Sequence, residues 1–91
     1  MRTRVVARTG AAASAAPADD FTAFVQQWTP PVVKALSATL GDPDLARDAT
    51  QEALTRAWLR WPDVLSLANP PGWLYRVGLN WARSRYRRMR R

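Results

Sequence analysis

Apolar positions recur at helical spacing in three stretches of the chain. Phe21, Phe24, Val25 and Trp28 fall at i, i+3, i+4 and i+7, which draws one apolar face. Asp19-Asp20 just ahead predicts a helix start, because aspartate caps free first-turn amides and suits the positive end of the helix dipole. Pro30-Pro31 interrupts the run, since proline has no amide hydrogen and crowds the preceding turn. The pattern resumes at Val32, Val33, Leu36 and Leu40, so the first helix is expected to be kinked at Pro30-Pro31, or to be two short coaxial helices.

Gly41-Asp42-Pro43 then reads as a stop and a restart: glycine ends one helix, aspartate caps the next and proline is tolerated in its first turn. The second helix is expected over about 43–61. At 100° per residue, Ala46, Ala49, Ala53, Leu54, Ala57 and Trp61 share one arc, with Trp58 at its edge. Asp48, Gln51, Glu52 and Thr55 gather opposite, with Leu59 as the one apolar group among them. Pro62 ends the helix, residues 63–68 form a short connection, and Asn69-Pro70-Pro71-Gly72 opens a third helix. Its inward side is expected to carry Trp73, Leu74, Val77, Gly78 and Trp81, and its outward side a stripe of Arg76, Asn80, Arg83 and Arg87. No strand-like alternation and no internal repeat interrupts this pattern, so the fold is expected to be all-α, a compact bundle of three main helices.

Length and composition narrow the picture. At 91 residues the chain holds one domain at most. Residues 1–18 are poor in packing groups and are expected to be a disordered leader, which leaves 19–91 to share one core. That core must rest on a few large side chains: Phe21, Phe24, Trp28, Leu36, Leu40, Leu54, Trp58, Trp61, Leu74 and Trp81. Arg2, Arg4 and Arg8 precede a run of alanine and serine, but a secretory signal needs a strongly apolar centre that this run lacks. No stretch is long and apolar enough to span a membrane, and a cytoplasmic protein is expected.

With no cysteine and no histidine, disulfides, thiolate or imidazole metal sites and imidazole bases are excluded. An enzyme is not expected, nor is any cofactor. Asp48 and Glu52, at i and i+4, are a weak metal or acid–base pair without a further ligand. Fourteen Lys plus Arg against seven Asp plus Glu give +7, and every acid lies at or before Asp63. The excess therefore sits on the third helix and favours a polyanion, nucleic acid before membrane. The stripe of Arg76, Asn80, Arg83 and Arg87 spans roughly 16 Å at 1.5 Å per residue, enough to meet several phosphates. Asn80 can both donate to and accept from a base edge, and Trp73 and Tyr75 near the stripe are available for stacking on unpaired bases. The Asp48, Gln51, Glu52, Thr55 face is acidic or neutral in a basic chain, as a separate surface for a basic protein partner would be.

The run GDPDLARDATQEALTRAWLRW over 41–61 resembles the core-binding helix of extracytoplasmic-function (group four) sigma factors. The run NPPGWLYRVGLNWARSRYRR over 69–88 is similar to the next block of that family, where Asn-Pro, Trp-Leu, Arg, Asn and a closing Arg-Arg recur in order. The resemblance covers about 20–91. It implies that Asp48, Gln51 and Glu52, extended by Thr55 and Leu59, grip the clamp coiled coil of the largest-type subunit of RNA polymerase core. It implies that Arg76, Asn80 and Arg83 meet the non-template strand of the minus-ten promoter element, and Arg87 of the stripe and Trp73 beside it are expected on the same DNA surface. The connection of Val64, Leu65, Ser66, Leu67 and Ala68, closed by Asn69, stands where such proteins hold a flipped base, whose unstacking costs about a few kcal/mol. An anti-sigma factor is a further partner of this family. Two departures accompany the match: Arg47 stands where the family usually has glutamate, and the 91 residues are expected to hold the docking and melting domain alone, without a second, minus-thirty-five domain. Two other functions fit the same residues. One is a general basic nucleic-acid-binding protein; the other is a sigma-like decoy that holds polymerase or an anti-sigma partner without initiating.

Overall fold

The computed structural model describes residues 17–89, which form three helices: α1 (Pro17–Leu40), α2 (Pro43–Leu59) and α3 (Pro70–Met89). Most of the expected leader lies outside the described residues. Its last two positions belong to α1, which starts at Pro17 with Asp19 and Asp20 in its first turn. Proline costs nothing at a helix start, where its missing amide would have had no partner.

α1 is one helix, with Pro30 and Pro31 inside it. Two separate helices are thus not formed at the expected kink site. The two prolines deny amide donors to the carbonyls of Gln26 and Gln27, and all four residues are exposed, so water can replace the lost donors. On the opposite side Phe24, Val32 and Leu36 are buried and hold both halves to the bundle.

The corner between α1 and α2 follows the sequence signal closely. Gly41 takes φ +68, the left-handed conformation that glycine adopts without penalty, and its amide donates to the Ser37 carbonyl at 2.8 Å. Asp42 then caps α2, its Oδ1 accepting from the Leu45 amide at 3.0 Å, with Pro43 in the first turn. α2 stops at Leu59, two residues short of the expected end. The backbone then turns through 60–66, and the Trp61–Pro62 peptide bond is cis.

α2 is the central helix, packing on both α1 and α3 more extensively than those two pack on each other. Its buried side is Ala46, Ala49, Thr50, Ala53, Leu54 and Ala57. Four alanines let the neighbouring backbones come close. Gly78 of α3 exploits this most, since a methyl group there would stand 3.1 Å from Leu36 Cδ1 and 3.2 Å from the Ala49 carbonyl oxygen. Thr50 was not expected on this side. It is tolerated because its hydroxyl donates to the Ala46 carbonyl one turn back at 2.8 Å, which leaves only its methyl to the core.

Of the large side chains expected inside, Phe24, Leu36, Leu54 and Leu74 are buried, whereas Phe21, Trp28, Leu40, Trp61 and Trp81 are only partly so. Trp58 is 47% exposed. Phe21, Phe24, Trp58 and Trp61 instead form an aromatic cluster at one end of the bundle, Phe21 lying 5.1 Å from Trp58 and 5.2 Å, edge-on, from Trp61. Such ring pairs add about 0.5–1.5 kcal/mol each beyond the area they bury.

Two substitutions test this account of the core. Gly78→Leu should destabilise by about 1–3 kcal/mol through overpacking. Leu36→Ala should cost about 2–5 kcal/mol through the cavity it leaves. Urea denaturation read by circular dichroism gives both values, and a Gly78→Leu protein as stable as the unaltered one would contradict the close approach.

Candidate polymerase and nucleic-acid interfaces

The residues singled out in α2 form one continuous exposed face. Asp48, Gln51, Thr55 and Leu59 are exposed, Leu59 to 76%, and Glu52 is partly covered. Intrahelical contacts hold the face in shape: the Thr55 hydroxyl donates to the Gln51 carbonyl at 3.1 Å, and Arg56 Nε pairs with Glu52 Oε2 at 3.3 Å. Arg47 pairs with Asp44 at i, i+3. Arg47 is thus a cation that an acid of this same helix already engages.

Beside this face an open groove of ≈ 650 Å³ runs between α1 and α2, with Phe21, Val25, Leu54 and Trp58 as apolar walls and Gln51 and Thr55 on its lip. Trp58 thus belongs to the surface. Its position at the edge of the apolar arc was the available signal, but a tryptophan is weighed inward by its size.

In α3 the stripe is equally well formed. Arg76, Asn80, Arg83 and Arg87 are all exposed, opposite the buried Leu74, Gly78 and Ala82. The two ion pairs of the described residues, Asp44–Arg47 and Glu52–Arg56, both lie in α2, so no acid neutralises the stripe. Trp73 and Tyr75 flank it, but Tyr75 is engaged elsewhere. Its hydroxyl shares a hydrogen bond of 2.7 Å with Thr39 Oγ1, which ties α3 to α1.

The connection between α2 and α3 divides its residues between support and display. Val64 is 2% exposed and anchors the segment in the core, while Leu65 and Leu67 are 45% and 42% exposed. Ser66 tightens the turn, its hydroxyl donating to the Asp63 carbonyl at 2.7 Å; Ala68 is exposed. Asn69 caps α3, its Oδ1 accepting from the Gly72 amide at 3.0 Å. A methyl group on Gly72 would come within 2.4 Å of Asn69 Nδ2, so the glycine makes room for the cap. Among the described residues no cluster of three or more acidic, histidine or cysteine side chains could hold a metal ion. No helix among them is long and apolar enough to cross a membrane.

A family model described as Sigma-70 region 2 matches residues 24–91, which takes in nearly all of the three helices and both faces. The chain belongs to the sigma-70 region 2 family. Domains of this family bind RNA polymerase core and promoter DNA and serve in promoter melting; they are transcription-regulatory domains, not enzymes. No curated protein and no solved structure matches the chain.

Within this region 2 domain, Asn69 has a structural task that can be measured. Asn69→Ala should lower stability by about 1 kcal/mol through loss of the cap, and Asn69→Asp should retain most of it. Thermal melting of the three proteins tests this; equal melting temperatures would mean the side chain does not cap α3.

Proposed function

We propose that this region 2 domain belongs to an extracytoplasmic-function sigma factor, acting in the cytoplasm to dock on polymerase and melt the minus-ten element. The carrying observation is the division of surfaces: an acidic-to-neutral face on α2, and on α3 a cationic stripe that no acid pairs with among the described residues. Asp48, Gln51, Glu52, Thr55 and Leu59 contact the clamp coiled coil of the largest-type subunit, and the groove beside Trp58 seats an apolar side chain of that partner. Burial of Trp58 there would supply the apolar centre that strong interfaces require.

Arg76, Arg83 and Arg87 hold phosphates of the non-template strand, while Asn80 reads a base edge. Leu65, Ser66, Leu67 and Ala68 present the surface against which an extruded base rests, and Trp73 offers a stacking edge. Val64 and Asn69 hold this surface in place, from the core and from the helix cap. An anti-sigma factor would compete for the same α2 face.

Asp48→Arg or Gln51→Ala should weaken binding to an isolated clamp coiled coil about tenfold, or ~1.4 kcal/mol, with an unchanged circular dichroism spectrum. Unaltered affinity in titration calorimetry would refute the docking assignment and leave a general nucleic-acid binder. A second expectation concerns sequence. Asn80→Ala should erode discrimination between minus-ten-like and scrambled single strands, whereas Arg83→Ala and Arg87→Ala should weaken both equally and flatten the salt dependence. Binding that ignores salt would remove the stripe from the DNA surface. Clamp binding without transcription, when core enzyme and a second sigma domain are supplied, would mark a decoy.

A further inference from the structure

Arg56 of α2 and Arg60, the residue that closes its C-terminal end, share a groove with Trp73 and Val77 of α3. Two open grooves, of ≈ 410 and ≈ 340 Å³, follow the line between the two helices, and both are walled by Arg56. The first also contains Arg60 and Trp73; the second contains Asn80, Ser84 and Arg88. On α3 the positions 73, 80, 84 and 88 share one flank of the helix and extend roughly 22 Å at 1.5 Å per residue. Asn80 therefore faces this line as well as the stripe of arginines.

We propose that the seam between α2 and α3 is a phosphate track for single-stranded DNA, with Arg56, Arg60 and Arg88 as its cations and Asn80 and Trp73 as its base contacts. This rests on the reading that the domain meets the melted strand, and it adds α2 to the DNA surface. The charge balance favours it. Arg60 and Arg88 have no acidic partner among the described residues. Arg56 has only Glu52, in an exposed pair whose side chains keep 47% and 38% of their accessible surface. Exposed pairs of this kind are weak, and a phosphate, with full charge and several acceptor oxygens, displaces the carboxylate readily. Glu52 belongs to the proposed polymerase face, so release of Arg56 toward DNA and capture of Glu52 by a basic group of polymerase are complementary events. Binding at one face of α2 then frees a ligand for the other.

The seam also accounts for the placement of Trp73. A base stacked on Trp73 would carry a backbone that passes Arg60 and Arg56, and the next bases would reach Asn80. The track ends at Arg88.

Fluorescence anisotropy of the full chain with a labelled oligothymidylate, over a range of salt, tests the proposal. The triple variant Arg56→Gln, Arg60→Gln, Arg88→Gln should lower the logarithmic salt slope by about two, near 0.7 per arginine, and weaken low-salt binding about tenfold or more. Lys34→Gln, a change of one charge on exposed α1, should leave the slope unaltered, where the single variant Arg60→Gln lowers it by about 0.7. A triple variant with the original slope, beside an Arg83→Gln, Arg87→Gln protein that binds weakly, would overturn the seam and leave the stripe as the DNA surface. No binding of any strand by the unaltered chain would overturn both. An equal loss in Lys34→Gln would reduce the effect to net charge and also overturn the track. So would polyglutamate competing as well as DNA, which would assign the seam to an acidic protein. A circular dichroism melt of each variant separates lost binding from lost fold.

Discussion

The structure depends on how closely α3 can approach the other two helices at Gly78. A side chain there would press on Leu36 of α1 and on the Ala49 carbonyl of α2, so the absence of one lets α3 approach the backbone of α2 and seats the Leu36 side chain of α1 against it. The alanines of α2 make the same concession from the other side. With so small a domain, apolar burial is limited, and close helix contact has to replace bulk. Leu36 and Leu74, both fully buried, fill the little space that remains.

That economy in the core decides what the surface can carry. Large aromatic groups that a thin core cannot enclose are displaced to one end of the bundle or to its seams. Trp58 ends on the lip of the α1–α2 groove, Trp73 on the α2–α3 seam, and Trp81 lies half-buried with the Arg85 guanidinium 5.5 Å from its ring. Half-exposed aromatic rings beside polar groups are what binding surfaces use, since they offer large area with little side-chain freedom to lose. The same close packing keeps the two faces of α2 within one helical turn of each other. Glu52 and Arg56, bonded to one another, belong to different surfaces of the same helix.

The corners show local rules being obeyed with little help from the rest of the chain. Gly41 adopts the left-handed turn, Asp42 caps α2, and Asn69 caps α3 across a glycine that must lack a side chain. Each of these is written within four residues of sequence. Pro30 and Pro31 are the counterexample. Local chemistry argues for an interruption, yet buried residues on both sides of the pair hold α1 as one helix and leave the unpaired carbonyls on its wet side.

The helical periods, the glycine and aspartate signals and the one-sided charge determined the three helices, the exposed face of Asp48, Gln51, Thr55 and Leu59, and the stripe on α3. Those are properties of single helices, and a period of 3.6 residues reveals them without knowledge of any neighbour. Only the tertiary structure decided which large side chains the core would admit, because enclosure depends on what the other helices bring. It buried Thr50 through a bond to its own helix, left Trp58 outside, and occupied Tyr75 with Thr39. It also set Arg56 and Arg60 beside Asn80 and Arg88. No spacing along one helix can announce a seam, since a seam exists only where two helices, distant in sequence, lie side by side.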